Sequence, residues 1–300
     1  MIKGPTVLLL FSGRQRKGSL TEELRALGAT VLEIDILIGG RWHDLTDHSS
    51  EGIVHHLTRS CEMGDFDAIH CAIPCETWSI ARDEELVCRT RTHPLGMDGL
   101  PRNLAEKVIM HNALLVLSLD MCRLVVCKGG EATIENPADR GNELIPQTYW
   151  QAKSNCASIF APNFRLMRDY MLDVEAKLIT TPMCAFGGIA QKYIMLAATP
   201  GAARALSVAN GLRCTHSHHD TLAYGTYGNA KKYSEYTQPF CALLALALLR
   251  GEPVADVPIK GDSPLIVPGS VAAIVLGSRV QAMTVPGYVE PPNPGFWRKR

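Results

Sequence analysis

The fold is decided by residues 6–36, TVLLLFSGRQRKGSLTEELRALGATVLEIDI, where a polar segment separates two short apolar runs. The first run, TVLLLFS at 6–12, is continuous and ends in a turn, which predicts a buried strand. A Ser-x-x-Glu capping box at Ser19 and a stop at Gly28 predict a helix after it. TVLEIDI at 30–36 predicts a second strand. Two strands joined by a helix are the unit of an α/β fold.

The same alternation continues through the first two thirds of the chain. Further strands are predicted at FDAIHCAIP (66–74), EATIEN (131–136), EAKLIT (175–180) and KYIMLAA (192–198), the last two as a candidate pair. Further helices are predicted at 49–62, at 104–123, at 163–175 and within 234–251. The sequence therefore predicts an α/β protein with a doubly wound, mostly parallel sheet and helices on both faces, as in Rossmann-like folds.

The chain is interpreted as one main domain and a tail. Residues 1–251 form the predicted domain, within which 200–235 is a candidate small recognition or metal-binding insert. The remainder, 252–300, is rich in Pro and Gly and has no sustained period. We expect an extended arm there, with a short strand near 271–276.

Composition narrows the function classes. Of the 300 residues 46% are hydrophobic and 20% charged, so a core can form and global disorder is excluded. The formal net charge is zero, which argues mildly against wide phosphate contact but leaves room for a local basic rim. Without a predicted signal peptide or membrane span, we expect an intracellular, reduced protein whose ten cysteines are core residues, ligands or nucleophiles. Nothing in the sequence indicates the oligomeric state.

The turn after the first predicted strand is a candidate ligand site. In an open parallel sheet, ligands bind beyond the carboxyl ends of the strands. Gly13 lets the backbone approach a ligand, and Asp35 ends the second strand, where its carboxylate can accept both hydroxyls of a ribose. The following loop offers Asp44 or Asp47 to an adenine amine. The alternative is that Gly13 serves an ordinary turn.

A cysteine follows directly on the strand predicted at 66–74. In AIPCETWSIAR (72–82), Pro74 rigidifies the chain just before Cys75, where a fixed nucleophile is useful. A thiolate that attacks carbon 6 of cytosine makes carbon 5 able to take a methyl group, and nearby positive charge favours the thiolate. Such charge, or phosphate binding, is available from three arginines, Arg82, Arg89 and Arg91. The alternative is a buried structural thiol.

An acidic residue ends the strand predicted at 131–136. The run ATIENPADR (132–140) carries Glu135 and Asn136 at the same edge of the sheet as Cys75. A carboxyl there can hydrogen-bond ring nitrogen 3 and the exocyclic amine of cytosine, which stabilises the negative charge that develops during thiolate attack. By itself, Glu-Asn-Pro is most often a strand-ending turn.

The order of LFSG, Asp35, Pro-Cys and Glu-Asn-Pro resembles the cytosine-5 DNA methyltransferase family. It is also similar to a short, divergent branch of that family from mobile elements and algal or viral genomes, through Pro74-Cys75-Glu76-Thr77-Trp78-Ser79-Ile80-Ala81-Arg82. The resemblance implies a class I methyltransferase fold, S-adenosylmethionine as the methyl donor and DNA as the partner. It places Cys75 at the nucleophile and Glu135 at the contact with cytosine nitrogen 3.

The resemblance also implies the remaining site residues. The cofactor positions are Phe11, Ser12, Gly13, Asp35, Asp44, Pro74 and Asn229. Asn136 and Arg82 join the catalytic positions. Two departures stand out: the basic run RQRK (14–17) replaces the family's glycine-rich turn, and no large target-recognition region is present. They leave two alternatives, a catalytically lapsed nucleic-acid-binding protein with the same fold and a methyltransferase that acts on RNA cytosine.

A cluster of cysteine and histidine suggests a structural zinc site. RCTHSHHDTLAYG (213–225) holds several of these side chains, and one further cysteine lies upstream. The predicted ligands are Cys184, Cys214, His216 and His219. Because this spacing matches no standard zinc motif, a polar loop is the competing interpretation.

Overall fold

The computed structural model describes residues 4–79, 87–139, 141, 157–190, 192–214 and 235–251. Over these residues the chain forms a single six-stranded sheet flanked by helices, which confirms the predicted α/β class with a mostly parallel sheet. The candidate tail at 252–300, its strand near 271–276 and most of the candidate insert at 200–235 lie outside this part of the chain.

All six predicted strands are confirmed. They are β1 (Thr6–Leu10), β2 (Thr30–Ile34), β3 (Ala68–Ala72), β4 (Glu131–Pro137), β5 (Lys177–Pro182) and β6 (Tyr193–Ala198). The order across the sheet is β2-β1-β3-β4-β6-β5. The first four strands are parallel, whereas β6 runs antiparallel to both β4 and β5, so the expected pairing of the two late strands is correct.

The five predicted helices are present, together with two short helices that were not predicted. They are α1 (Leu20–Ala26), α2 (Ile36–Gly39), α3 (Ile53–Met63), α4 (Arg102–Cys127), α5 (Arg165–Asp173), α6 (Pro200–Ala205) and α7 (Gln238–Arg250). Three 3-10 turns occupy Gly40–His43, Met183–Phe186 and Leu206–Val208. With four and six residues, α2 and α6 are too short to leave a helical period in the sequence.

The helices cover both faces of the sheet. Alternate residues of β1 point to opposite sides, so that Leu8 and Leu10 enter one core while Val7 and Leu9 enter the other. The helices α3, α4 and α5 pack together on the first side. The helices α1, α6 and α7 pack on the second, where α7 is largely buried. This double winding is what the sequence pattern predicted.

The strand order indicates where a ligand-binding crevice is expected, at the carboxyl ends of β1 and β3. From β1 the chain moves to one side to form β2 and then to the other side to form β3, so the direction of winding reverses between β1 and β3. Loops diverge from such a point at the carboxyl ends of the strands, and ligands bind there. Gly13 follows β1 and Cys75 follows β3, so both predicted site residues border the crevice.

The helix α4 has the length and composition of a membrane span: it has 26 residues, and half of its most apolar window is buried inside the protein. It lies against β3 and β4 and between α3 and α5. In this fold α4 is therefore a core helix of the sheet's first face. Of the helices that the structure describes, it is the one that meets the length and composition test.

Candidate functional site

The turn after β1 holds an unusual backbone conformation. Phe11 has φ 60°, in the left-handed region that side chains other than glycine rarely adopt, and its N–H donates to the Ile34 carbonyl at 2.8 Å. Such a conformation costs on the order of 1 kcal/mol and clusters at functional sites. A Cβ built on Gly13 would meet no described atom within 4 Å, so the turn faces open space.

Asp35 holds this turn in place, and its carboxylate can still accept hydrogen bonds from a ligand. One carboxylate oxygen accepts the Gly13 N–H at 2.8 Å, and the other accepts the Leu37 N–H at 2.7 Å and caps α2. Each oxygen has a second lone pair for a ligand. The Ser12 hydroxyl is buried and has no hydrogen-bond partner among the described residues, so it is a candidate contact for a ligand.

The second predicted acidic contact, Asp44, is partly used by its own turn. Its Oδ1 atom accepts both the Thr46 N–H at 2.9 Å and the Thr46 hydroxyl at 2.6 Å. The Asp35 N–H faces His43 Nδ1 at 3.3 Å, which keeps this loop near the turn after β1. Any contact of Asp44 with a ligand therefore falls to Oδ2.

The basic run at 14–17 has a structural role in part. Arg16 forms a salt bridge with Glu235 at 3.0 Å and donates a hydrogen bond to the Tyr236 carbonyl. These contacts fasten the turn after β1 to the segment that leads into α7. Arg14 and Lys17 are exposed at the rim of the crevice.

The backbone around Cys75 is fixed from both sides. The Cys75 carbonyl accepts the N–H groups of Trp78 and Ser79 at 2.8 and 2.7 Å, which forms a tight turn. The buried Asn136 amide donates to the Ile73 carbonyl at 3.0 Å and so ties the end of β4 to the segment that carries Cys75. Pro74 lies between these two attachments. In this structure Asn136 holds the loop that carries Cys75, and its predicted catalytic role stays a prediction.

Arg89 is part of the scaffold, contrary to expectation. It is 4% exposed and donates four hydrogen bonds, to Thr77 Oγ1, the Pro94 carbonyl, Asn112 Oδ1 and the Val108 carbonyl. Its guanidinium carbon lies 3.6 Å from the centroid of the Trp78 ring, which is itself buried. Burial lowers the pKa of Arg89 to about 10. The prediction that Arg89 acts on Cys75 or on phosphate is therefore wrong, because the side chain is buried and four of its five N–H donors bond to the protein.

Arg91 also bonds to a protein partner. It makes a bidentate salt bridge to the fully buried Asp139, with distances of 2.8 and 2.9 Å. The pair joins the loop after Cys75 to the end of β4, and the prediction of a phosphate or thiolate contact is wrong for Arg91 as well. Arg82 and Asn229 lie outside the residues that the structure describes.

The charges that act on Cys75 come from Lys192, Glu135 and Glu76. Burial raises the pKa of the Cys75 thiol above its ordinary value of 9.0, the Lys192 ammonium lowers it, and the Glu135 carboxylate raises it. Cys75 and Glu135 are therefore within electrostatic range of the same lysine. The sequence predicted roles for Cys75 and Glu135 and none for Lys192. Lys192 reaches this edge because β6 is antiparallel, so that its first end adjoins the carboxyl end of β4.

Glu135 is a buried carboxyl with a vacant acceptor. It is 7% exposed, and its Oε1 atom has no hydrogen-bond partner in the described parts of the chain. Burial raises the pKa of Glu135, while the charge of Lys192 and a hydrogen bond from Tyr236 lower it. Because an unpaired buried polar atom is costly, Oε1 is a candidate contact for a ligand.

Two of the four predicted zinc ligands lie together. Cys184 and Cys214 are both buried, and burial together with the hydrogen bond that the Cys184 thiol donates to Cys214 raises the pKa of Cys184 to about 12. His216 and His219 are outside the described ranges. Within those ranges no group of three metal-binding side chains occurs, and the zinc site stays a prediction.

Comparison of the chain with known protein families and with curated proteins found no match. The function is therefore inferred from the residues and from their geometry.

Proposed function

We propose that this protein is a class I methyltransferase that transfers a methyl group from S-adenosylmethionine to carbon 5 of cytosine in DNA. One observation carries the proposal. At the carboxyl edge of the sheet, Cys75 follows β3 and Glu135 lies near the end of the adjacent β4, the Glu135 charge acts on the Cys75 thiol, and Glu135 keeps a buried oxygen without a described partner. A nucleophile and an acid aimed at one place suit a reaction on a ring that needs both.

The turn after β1 fits the proposed cofactor. Asp35 has lone pairs for the ribose hydroxyls, Ser12 has an unpaired buried hydroxyl, and Gly13 faces open space. When bound there, S-adenosylmethionine supplies an electrophilic methyl group on a sulfonium. The exposed apolar side chains Ile36 and Trp42 flank Asp35 and offer a surface for an adenine ring.

Cys75 performs the first covalent step in this proposal. Its thiolate forms a bond to carbon 6 of cytosine, and the ring electrons move so that carbon 5 becomes nucleophilic and takes the methyl group. Transfer of the carbon 5 proton to a water molecule then expels the thiolate and restores the ring. Because burial raises the pKa of Cys75, the positive charge of Lys192 is the feature that favours the reactive thiolate.

Glu135 stabilises the ring during that attack. A carboxyl whose pKa is raised by burial keeps its proton to a higher pH than an exposed one and can share it with ring nitrogen 3. The other oxygen can accept from the exocyclic amine. The target atom is enclosed in the stacked duplex, so a substrate base has to rotate out of the helix to reach both side chains.

The test is transfer of a labelled methyl group from S-adenosylmethionine to DNA of mixed sequence. We expect label on cytosine carbon 5 with the wild-type protein and none with Cys75→Ser, while calorimetry gives the same cofactor affinity for both. Transfer by the serine variant, or no transfer to any DNA by a wild-type protein that binds the cofactor, would contradict the proposal. A parallel RNA panel decides between DNA and RNA.

The lapsed-enzyme alternative is favoured by one observation. Arg16 replaces part of the glycine-rich turn and is fastened to Glu235 and Tyr236, so the turn is less free to wrap a ligand. In that case the protein binds nucleic acid through the exposed Arg14 and Lys17 and does not bind S-adenosylmethionine. Absence of cofactor binding at millimolar concentration, with retained salt-dependent DNA binding, is the outcome that supports it.

A further inference from the structure

Two side chains of α4 hold the turn that begins at Cys75. Lys107 and His111 are one helical turn apart, so they project from the same face of α4. Lys107 Nζ lies 2.6 Å from Glu76 Oε1. His111 Nδ1 lies 2.9 Å from Thr77 Oγ1. The two residues that directly follow Cys75 are therefore each bonded to this face of the helix.

The two contacts differ in their surroundings. The side chains of Lys107 and Glu76 are 37% and 58% exposed, so water screens their attraction, and such a pair contributes about 1 kcal/mol at most. Thr77 and His111 are both 3% exposed. Because water does not reach a buried hydrogen bond to replace a lost partner, the contact between Thr77 and His111 is the stronger attachment of the two.

The Thr77 side chain is held in one orientation. Its hydroxyl oxygen accepts from Arg89 Nε at 3.1 Å, and its carbonyl accepts from the Cys88 thiol at 3.5 Å. A threonine hydroxyl has one proton, and an arginine Nε–H can only donate, so the hydroxyl proton is available for His111 Nδ1. His111 then carries its own ring proton on Nε2. A buried hydroxyl that accepts once and donates once is fixed from both sides.

This fixed side chain lies inside the turn that carries Cys75. The Cys75 carbonyl accepts the N–H groups of Trp78 and Ser79 at 2.8 and 2.7 Å, so Thr77 is enclosed between the two ends of the turn. Holding Thr77 therefore restricts the backbone on which the Cys75 side chain stands. Without this hold, the turn would depend on its own two hydrogen bonds and on the exposed ion pair of Glu76.

We propose that His111 is a positioning residue for Cys75 and acts through the Thr77 hydroxyl. The pair keeps the turn closed, so that the Cys75 thiol stays half-buried at the carboxyl end of β3. The consequence for methyl transfer rests on the proposed function, whereas the control of the thiol's exposure can be measured in the protein alone.

The proposal predicts how the thiol reacts when the pair is broken. In the closed turn, burial raises the pKa of the Cys75 thiol above 9.0. A loosened turn admits water, which lowers that pKa toward its ordinary value and uncovers the sulfur, so alkylation at a fixed pH becomes faster. The charged groups that act on the thiol, Lys192, Glu135 and Glu76, are all retained when only the pair is changed.

The experiment is alkylation of the full-length, cofactor-free protein by iodoacetamide, with each cysteine followed by mass spectrometry. We expect Cys75 to react about tenfold faster in Thr77→Val and in His111→Leu than in the wild type, because each removes one buried hydrogen bond. Thr77→Ser keeps the hydroxyl, and His111→Asn places an acceptor oxygen near the position of Nδ1, so both should keep the wild-type rate. The matched control is Lys107→Met, which should change the rate by about twofold at most.

Two other cysteines separate a local effect from a general loss of structure. Cys71 on β3 and Cys122 on α4 are fully buried, with 3.7 Å between their sulfur atoms. Unfolding would expose them together with Cys75, whereas release of the turn exposes Cys75 alone. An unchanged Cys75 rate in Thr77→Val and His111→Leu would overturn the proposal, and so would equal acceleration at Cys71 and Cys122.

Methyl transfer gives a second readout of the same variants. Thr77→Val and His111→Leu are expected to lower kcat about tenfold with unchanged cofactor affinity, because a displaced nucleophile slows the chemical step without touching the cofactor. Thr77→Ser and His111→Asn are expected to restore kcat. If the wild type transfers no methyl group, the proposed function fails, while the alkylation rates still decide the positioning role.

Discussion

Two buried polar regions flank the Cys75 loop, and they differ in how far their hydrogen bonds are satisfied. On one side Arg89 donates four hydrogen bonds and Arg91 makes both contacts to Asp139. On the other side Glu135 is as deeply buried but leaves Oε1 without a described partner. The comparison separates a scaffold, in which the charged groups bond to protein partners, from a candidate site, in which the Glu135 carboxyl keeps an oxygen with no described partner. Substitutions in the two regions should therefore affect different properties.

The largest expected effect on folding is at the scaffold. Arg91→Met leaves the buried Asp139 carboxylate without its partner, which should lower the free energy of unfolding by about 3–5 kcal/mol in urea titration. The matched control is Arg102→Met, which removes an exposed pair with Glu106 and should change stability by about 1 kcal/mol at most. Equal effects of the two variants would remove the distinction between scaffold and surface.

At the candidate site, substitution should reduce activity strongly and stability little. Glu135→Gln is expected to lower the rate of methyl transfer about 100-fold, because the amide cannot share a proton with the ring nitrogen. The same variant should change the free energy of unfolding by less than about 1 kcal/mol, since one of the oxygens that it replaces has no protein partner to lose. A strongly destabilised variant with a normal rate per folded molecule would place Glu135 in the scaffold instead.

A smaller effect is expected at Lys192. Its charge lowers the pKa of Cys75, so Lys192→Met should raise that pKa and slow alkylation of Cys75 by iodoacetamide several-fold at a fixed pH. In the wild type the rate should climb with pH, because only the thiolate reacts and burial holds the thiol's pKa above 9.0. Lys192→Arg keeps the charge and serves as control, and the exposed Cys127 is the internal reference in mass spectrometry. Identical rates for Lys192→Met and wild type would exclude Lys192 from the thiol's surroundings.

The smallest expected effect is on the pH dependence of stability. The pKa of Glu135 is raised above the ordinary 4.5, so the folded protein holds a proton that the unfolded chain has lost once the pH exceeds that value. Stability is then lost as the pH rises from the unfolded pKa through the folded one. Relative to wild type, Glu135→Gln should gain stability between pH 4.5 and the folded pKa, as measured by denaturant unfolding at each pH. A constant difference across that range would mean that burial does not perturb Glu135.

The sequence predicted those candidate site residues whose position depends only on the end of a strand. Cys75 and Glu135 were found because the carboxyl ends of parallel strands meet at one edge of a sheet. Lys192 was not recognised because its place depends on the antiparallel course of β6, which strand patterns do not reveal. Thr77 and His111 are 34 positions apart, and a histidine in the middle of an apolar helix has no distinguishing pattern.

For the two arginines, the sequence suggested a role that the structure does not support. The sequence displays charge but not partners, so Arg89 and Arg91 looked available to the thiol or to phosphate. The structure pairs them with the Val108 and Pro94 carbonyls and with Asp139, contacts that arise only when α4 and the end of β4 come together. Charge near a candidate nucleophile is therefore informative only after its hydrogen bonds have been counted.

The most direct test of the central claim is mass spectrometry of the protein after incubation with S-adenosylmethionine and DNA that contains 5-fluorocytosine. Fluorine at carbon 5 cannot leave as the proton does, so the thiol adduct on carbon 6 persists. The account predicts an oligonucleotide attached to the peptide that carries Cys75, and no attachment in Cys75→Ser. An adduct at another cysteine, or none at all in a protein that binds both cofactor and DNA, would contradict it.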